Sequence, residues 1–351
     1  MGKLAVYKYI SFLFLLATIV VAIFTFTGLF GGNVPPAGHT ARAMLVYALP
    51  FIIAADVLLL IYWLIRRRWH WLPIPIVTIL CCIPYIGTLY QLRSLDADAD
   101  TKAGFKMCTY NVARFNRETT GFIAQDILAQ MKKEKVDVLC LQEYNEISGD
   151  KKNSESYKEY YPYMAIGEND MVVFSRHPIT ATENIAFDQT NNSAMWADID
   201  VKGRNIRVFN VHLETTGVNR TLRNAAKMME KGIDIGTSPL LNAIYGNYTI
   251  GMIARSGQAN TVAMAIRGTE NREVIVCGDF NDVPYSYVYN TMLGNMVDGF
   301  KECGSGFMYT FRGRKVRIDY IFHDESIKGI AYYKKEMNYS DHYPVFMKFE
   351  L

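Results

Sequence analysis

Acidic residues are almost missing from the first quarter of the chain. Residues 1–95 hold one, Asp56, against seven basic residues: Lys3, Lys8, Arg42, Arg66, Arg67, Arg68 and Arg93. The whole chain of 351 residues has 37 Lys and Arg and 34 Asp and Glu, so the remainder carries 30 basic against 33 acidic residues. The larger part is slightly acidic. Composition therefore gives no support for a broad nucleic-acid-binding patch, although a local basic groove stays open. The six cysteines show no Cys-x-x-Cys spacing, which argues against a zinc site. Cys81 and Cys82 fall in an apolar run, and Cys108, Cys140 and Cys277 fall in short strand-like runs where cysteine behaves as a small hydrophobe. Free thiols are expected. There is no fixed-period repeat, and no Ala-x-Ala cleavage site follows the first apolar run.

What the first part has instead is apolar length. Three runs, Tyr9–Phe30, Met44–Ile65 and Trp71–Leu92, are each about long enough to cross a bilayer. Pro73, Pro75 and Pro84 should kink the third, which membrane helices tolerate. Arg66-Arg67-Arg68 between the second and third runs marks a cytoplasmic loop, and Lys3 and Lys8 put the N-terminus on the same side. Three spans then deliver the rest of the chain to the non-cytoplasmic face of an inner or plasma membrane. Asp56 inside a span is either a functional polar group or one that pairs within the bundle. The expected division is a membrane anchor over 1–94, with the lipid bilayer as its partner, a polar linker over 95–104, and one large domain over 105–351. No obligate protein partner is evident.

From Phe105 the pattern alternates short strands with helices. Lys106–Val112, Val136–Gln142, Asp170–Ser175, Ala194–Val201, Asn205–Leu213, Glu273–Cys277, Arg317–Phe322 and Val345–Phe349 read as strands. Phe122–Lys133 reads as a helix with Ile123, Ile127, Leu128 and Met131 on one face, and Gln258–Arg267 as another. Between Thr215 and Ser256 no strand is evident. Leu222–Lys231 suggests a helix, and Thr237–Met252 is unusually apolar and aromatic for a surface connection. A lid, a surface resting on a membrane and a plain insertion all fit it.

The chemistry-bearing residues sit at the ends of these strands, where ligands of α/β proteins gather. The stretch Gly278-Asp279-Phe280-Asn281-Asp282-Val283-Pro284 follows an apolar, β-branched run. Asp279 and Asn281 are two apart and share a face of extended chain. The stretch is no calcium loop, because Val283 and Pro284 stand where an acid or amide and a glycine are required. Five further blocks accompany it: Tyr110-Asn111, Gln142-Glu143, Asn210-Val211-His212-Leu213, Arg317-Ile318-Asp319-Tyr320 and Ser340-Asp341-His342. Each alone reads as a strand end or a turn. Together, in this order, they do not.

In this order the blocks resemble those of the endonuclease/exonuclease/phosphatase superfamily, to which deoxyribonuclease I, inositol polyphosphate 5-phosphatases and neutral sphingomyelinases belong. The chain looks like a membrane-anchored, bacterial-type member. The resemblance covers about residues 105–351. It implies an α/β fold, a four-layer α/β/β/α sandwich, here preceded by three transmembrane helices. It also implies a hydrolase acting on phosphoester bonds with a divalent metal, usually magnesium, with manganese as an alternative. Carried over by motif, Glu143 looks like the principal metal ligand, with Asn111 beside it and Asp341 as a further candidate. Asp279 would take a proton from the attacking water, and Asn281 would orient that water or the phosphate. His342, held by Asp319, would bind or protonate the phosphate, while His212 and Asn210 contact it from the opposite wall. His177, followed by proline in a turn, reads as structural. Arg312, Arg314 and Arg317 either meet phosphate or line a solvated edge. The substrate class stays open among nucleic acid, phospholipid or sphingolipid headgroup, and inositol phosphate. A silent binding domain is the reading from another class.

Overall fold

The computed structural model describes residues 3–94, 102–113, 124–144, 158–169, 171–188, 190–233, 236–269 and 272–350. The linker acids Asp96, Asp98 and Asp100 lie outside them, as do Phe122, Ile123 and Asp170. The chain forms two compact units, Met1–Thr88 with Val283–Asn290, and Leu89–Asp282 with Thr291–Leu351.

The first unit is helical. Its helices are α1 (Lys3–Leu29), α2 (Thr40–Ile65), α3 (Pro73–Cys81) and α4 (Ile83–Ile86). Three segments, Ala5–Asn33, Thr40–Ile65 and Trp69–Ile86, are long and apolar enough to cross a membrane. Two pairs of buried polar groups link the unit's helices. Thr25 Oγ1 donates to Asp56 Oδ2 at 2.7 Å, and Trp63 Nε1 donates to Thr18 Oγ1 at 3.0 Å. Asp56 thus ties α1 to α2. The third apolar run does not form one helix to Leu92. It breaks at Cys82 and ends at Ile86, and Tyr90–Gln91 is already a strand. Pro84 supplies no N–H and crowds the preceding turn, so the helix cannot pass it unbroken. Pro73 and Pro75 do no such harm, because they sit in the first turn of α3, where the N–H groups have no helical partner.

The second unit is built on strands β1 (Tyr90–Gln91), β2 (Gly104–Asn111), β3 (Val138–Gln142), β4 (Tyr163–Ile166), β5 (Val172–Ser175), β6 (Ile179–Ala186), β7 (Ser193–Val201), β8 (Arg204–His212), β9 (Glu273–Asp279), β10 (Val297–Asp298), β11 (Gly306–Phe307), β12 (Asp319–His323), β13 (Gly329–Lys334) and β14 (Val345–Glu350). Helices α5 (Ala124–Lys133), α6 (Val218–Glu230) and α7 (Thr237–Arg267) interrupt them. One sheet has the order β10-β12-β9-β8-β7-β6, the other β13-β14-β2-β3-β5-β4, and β1 pairs with β11 in a two-stranded ribbon. Between the two sheets lies a core to which one contributes Met107, Val138, Cys140 and Val173 and the other Ile206, Val208, Ile275, Cys277 and Ile321. Each such side chain contributes roughly 1.5–3 kcal/mol on burial. On the outer face of the second sheet, Ile127, Leu128 and Met131 of α5 pack on Tyr110, Leu139, Leu141 and Phe174. The arrangement is the expected α/β architecture of two sheets flanked by helices. All six cysteines are free thiols.

Strand direction explains why scattered residues meet. In each sheet the only parallel pair is central: β2 with β3, and β8 with β9. Their four C-terminal ends carry Asn111, Gln142-Glu143, His212 and Asp279. The strand β12 runs antiparallel to β9, with Asp319 opposite Asp279, so its first residue lies at the edge where β9 ends. Likewise β14 is antiparallel to β2, so the turn before it, with Asp341 and His342, returns to that edge.

Among its described residues, the segment from Thr215 to Ser256 holds no strand. It holds α6 and the first part of α7, a single helix of 31 residues that also takes in the expected helix at Gln258–Arg267.

Candidate active site

One carboxylate oxygen, Asp279 Oδ2, is the hub of the site. Asn111 Nδ2 donates to it at 3.0 Å and Asn281 Nδ2 at 3.3 Å. His342 Nε2 lies 3.7 Å away and His212 Nε2 3.9 Å away. The other oxygen, Oδ1, accepts the Asn281 backbone N–H at 2.9 Å. Asp279 is buried at 1% exposure. Loss of hydration disfavours its charge most, the histidines pull the other way, and Asp319 adds repulsion; its carboxyl is raised to about 6.

His342 has a carboxylate on each side. Its Nδ1 faces Asp319 Oδ2 at 3.0 Å and its Nε2 faces Asp279. Burial works to lower its pKa, but Asp319 and Asp279 overcome that, and it rises to about 10. The imidazolium is therefore the resting form at neutral pH. Its backbone is fixed as well: the His342 N–H donates to Ser340 Oγ, and Ser340 Oγ–H donates to the Asn111 carbonyl at 2.8 Å. Thr310 Oγ1 accepts the N–H groups of Ile318 and Asp319 at 3.0 and 3.1 Å, which sets the start of β12.

Backbone conformation also aims the side chains. Gly278 has φ +135°, and a Cβ there would collide with the Val211 carbonyl on the neighbouring strand. Glu143 and Asn281 sit in the left-handed region at φ +53° and +51°. Asparagine tolerates it; glutamate does not, and such strain gathers at functional sites. The Glu143 side chain is 37% exposed, accepts from Asn111 Nδ2 at 3.1 Å and lies 3.7 Å from His212 Nε2.

The geometry thus brings together Asn111, Glu143, His212, Asp279, Asn281, Asp319 and His342. Two expectations need correction. Asn210 does not face a substrate. It is buried between the sheets, where Nδ2 donates to the Leu141 and Val172 carbonyls and Oδ1 accepts from Gln142 Nε2 at 2.6 Å. An amide fully hydrogen-bonded across two sheets is a tie, with nothing left for a phosphate. Asp341, the further candidate, is exposed at the same edge, next to His342. Arg317 neither meets phosphate nor lines a solvated edge. It is fully buried and forks onto Asp298, Nη1 at 2.8 Å and Nη2 at 2.6 Å. His177 lies in the turn between β5 and β6, its backbone N–H held by Ser175 Oγ at 2.9 Å. The support Thr310 went unread in the sequence, because a lone hydroxyl in a turn gives no pattern. Ser340 and Gln142 stood in blocks but were given no task.

Within the buried group Asp279, Asp319 and His342, one ligating atom from each lies within 4.8 Å of the others. Both ring nitrogens of His342 already face carboxylates, so this trio fits proton handling better than metal binding.

No curated protein sequence matches the chain. Among solved structures, an endonuclease/exonuclease/phosphatase from Bacteroides vulgatus is 18% identical, covers 71% of this chain and 100% of its own, and superposes with a TM-score of 0.53. D. rerio TDP2 complexed with a single-strand DNA product is 16% identical over 71% of this chain and 100% of its own, with a TM-score of 0.50. The human Nocturnin catalytic domain with a bound sulfate anion gives 16%, 71%, 95% and 0.50. At such identities these likenesses speak for the fold. Residues 11–89 match a domain of unknown function, DUF8431. The pattern described as "Endonuclease/Exonuclease/phosphatase family" matches residues 108–342, about two thirds of the chain, and so the protein belongs to the endonuclease/exonuclease/phosphatase family.

Proposed function

We propose that the chain is a membrane-anchored phosphoester hydrolase that uses a divalent metal and works on the non-cytoplasmic side. The observation that carries the chemistry is the hub. A buried aspartate whose carboxyl is raised to about 6 stands between a protonated histidine and a strained, half-open glutamate. Groups whose proton affinities are pushed apart within one site are the mark of acid–base work.

In this reading Asp279 takes the proton from the attacking water. The Asn281 N–H and the Asn111 and Asn281 amides fix the carboxylate so that it need not reorganise. His342, kept charged by Asp319, donates a hydrogen bond to the phosphate and offsets its negative charge. His212, 3.9 Å from Asp279 Oδ2, supplies a second hydrogen bond to the phosphate. Glu143 is the residue to hold the metal. Its carboxylate is the only one of the hub's that opens to solvent, and oxygen ligands suit magnesium or manganese. Asn111 stands beside it, its Nδ2 bridging the Glu143 and Asp279 carboxylates. When bound, the metal polarises the phosphoryl oxygens and lowers the charge barrier to attack.

Three apolar helices and the arginine cluster at 66–68 support the anchoring and its direction. The TDP2 and Nocturnin structures, with a DNA product and a sulfate, are consistent with an oxyanion at this site. The slightly acidic domain favours a phosphoester other than bulk nucleic acid.

The test is hydrolysis by the purified full chain of bis-p-nitrophenyl phosphate, DNA, RNA, inositol phosphates and phospholipid vesicles, with and without magnesium. Metal-dependent release of product that disappears in Asp279→Asn is expected. No hydrolysis of any substrate, or equal activity in the variant, overturns the proposal. External protease acting on intact spheroplasts tests the side.

A further inference from the structure

The hairpin of α6 and α7 is the largest feature of the second unit that the site chemistry leaves without a task. None of Thr237–Ile250, the first half of α7, is buried; every buried residue of that helix lies from Gly251 onward. At 1.5 Å per residue this is about 20 Å of helix outside the core. It is not a solvating helix. From Thr237 to Ala254 there is no charged side chain, and Leu241, Tyr245 and Ile250 are each more than half exposed. The companion helix α6 exposes Met228 and Met229 beside Arg223, Lys227 and the following Lys231. From Thr215 to Ile233 the only acid is Glu230, against four basic residues. Asn247 Nδ2 bonds Thr221 Oγ1 at 2.7 Å and holds the two helices together.

Exposed apolar side chains flanked by lysine and arginine suit a bilayer interface: the apolar groups enter the headgroup boundary and the cations meet anionic lipids. Water alone would penalise this surface. Chain connectivity supplies the bilayer. Only Gly87, Thr88 and Leu89 separate α4, the end of the last apolar segment, from β1 of the second unit. Such a tether spans at most about 14 Å at 3.3–3.6 Å per residue.

The hairpin is also rooted beside the hub. Asn281 Nδ2 donates to the Leu213 carbonyl at 2.9 Å, just before α6. On α7, the buried Arg255 pairs with Asp282 at 3.2 Å and donates to the Glu214 carbonyl at 2.8 Å. Gly251 packs against the Thr215–Thr216 backbone, where a Cβ would stand 2.7 Å from the Thr215 oxygen. From these observations we propose that the α6–α7 hairpin is a membrane-docking element that lies in the anionic headgroup layer of the bilayer to which the chain is anchored. It rests on the anchoring reading given above.

The experiment uses the full chain reconstituted into vesicles of phosphatidylcholine and phosphatidylglycerol. The background is Cys81→Ser, because the other native cysteines are buried. An environment-sensitive fluorophore is placed on Leu241→Cys, Ile250→Cys or, as a reference, Lys202→Cys in the exposed β7–β8 turn. The hairpin labels are expected to be blue-shifted, quenched several-fold more than the reference by nitroxide-bearing lipids, and shielded from iodide. Combining Arg223→Glu with Lys227→Glu should weaken the lipid quenching, as should omitting phosphatidylglycerol. Hairpin labels as open to iodide as the reference overturn the proposal. So do labels shielded from both quenchers, which means that protein covers the hairpin. Circular dichroism confirms that each variant is folded. Extraction by alkaline carbonate separates the two readings: release of the chain refutes anchoring, whereas wet labels on a retained chain refute docking alone.

Discussion

Two of the molecule's buried carboxylate–cation pairs are Asp298–Arg317 and Asp319–His342, and Arg317 of the one stands two residues from Asp319 of the other at the start of β12. They are built for opposite ends. Arg317 is fully buried, forks both terminal nitrogens onto Asp298, and lies 4.6–5.7 Å from the ring centres of Tyr320, Phe300 and Tyr332. Its charge is permanent, and Asp298 also caps the short helix Gly299–Cys303 by accepting the Phe300 N–H at 3.0 Å. Burial works against the Arg317 charge, but Asp298 outweighs it and the guanidinium keeps its proton. His342 also sits against a carboxylate, but a second one, Asp279, waits on its other nitrogen. That pair can give or take a proton, and it lies at the strand ends. A buried pair with a permanent cation holds structure; one with a titratable cation between two carboxylates is held so that it can react.

The strongest way to test this contrast is to remove the base. Asp279→Asn keeps the shape and one accepting oxygen for the Asn111 and Asn281 amides, but cannot accept a proton. General acid–base groups contribute roughly a hundred- to ten-thousand-fold, and a loss of kcat/KM of that order is expected, with thermal stability unchanged or raised. The rise follows because a buried carboxylate held above its ordinary value of 3.8 opposes folding when it ionises. Steady-state kinetics and a melting curve check both parts.

Arg317→Met should do the reverse. It strands Asp298 as an unpaired buried charge, a loss of about 3–5 kcal/mol in comparable cases, while kcat per folded molecule stays near that of the parent. Arg317→Met with Asp298→Asn should recover part of the loss. Denaturant unfolding of the detergent-solubilised chain reads it.

The pH profile sharpens the comparison further. Hydrolysis should rise as Asp279 ionises through about 6 and fall as His342 loses its proton through about 10, the two limbs belonging to the coupled group. The His342 pKa is raised above its ordinary 6.5, so its contribution to stability is complete below 6.5 and is lost as pH climbs through 10. Asp319→Asn removes the nearer carboxylate. The alkaline limb should then move to lower pH, whereas Arg317→Met should leave it in place. An unmoved limb in Asp319→Asn would refute the assigned pairing.

The contrast between the two pairs was only half legible in the sequence. The ends of β3, β8 and β9 announced themselves, because apolar β-branched runs stop at Gln142-Glu143, His212 and Gly278-Asp279. Their convergence depends on which strands run parallel, and no local pattern states that. Asn210 and His212 share a strand face, so spacing assigned them one task; depth along the strand separates them, Asn210 lying between the sheets and His212 at the rim. Arg317 reads as a phosphate contact or a solvated edge because its partner Asp298 is 19 residues away, with no periodicity to link them. The strand β6 was missed because it is an edge whose side chains are mostly exposed, leaving no alternation to read.

The smallest effect expected is at the α6–α7 hairpin. Leu241→Ser and Tyr245→Ser replace large apolar side chains, a change that in the core would cost several kcal/mol. Both side chains are more than half exposed and belong to the part of α7 in which no residue is buried. In detergent the unfolding free energy should therefore shift by no more than about 0.5 kcal/mol, measured by the same denaturant titration. A loss of several kcal/mol would mean that these side chains are buried against protein after all. An unchanged value leaves the apolar surface without any role in holding the fold, which is the condition for its being retained to meet something outside the chain.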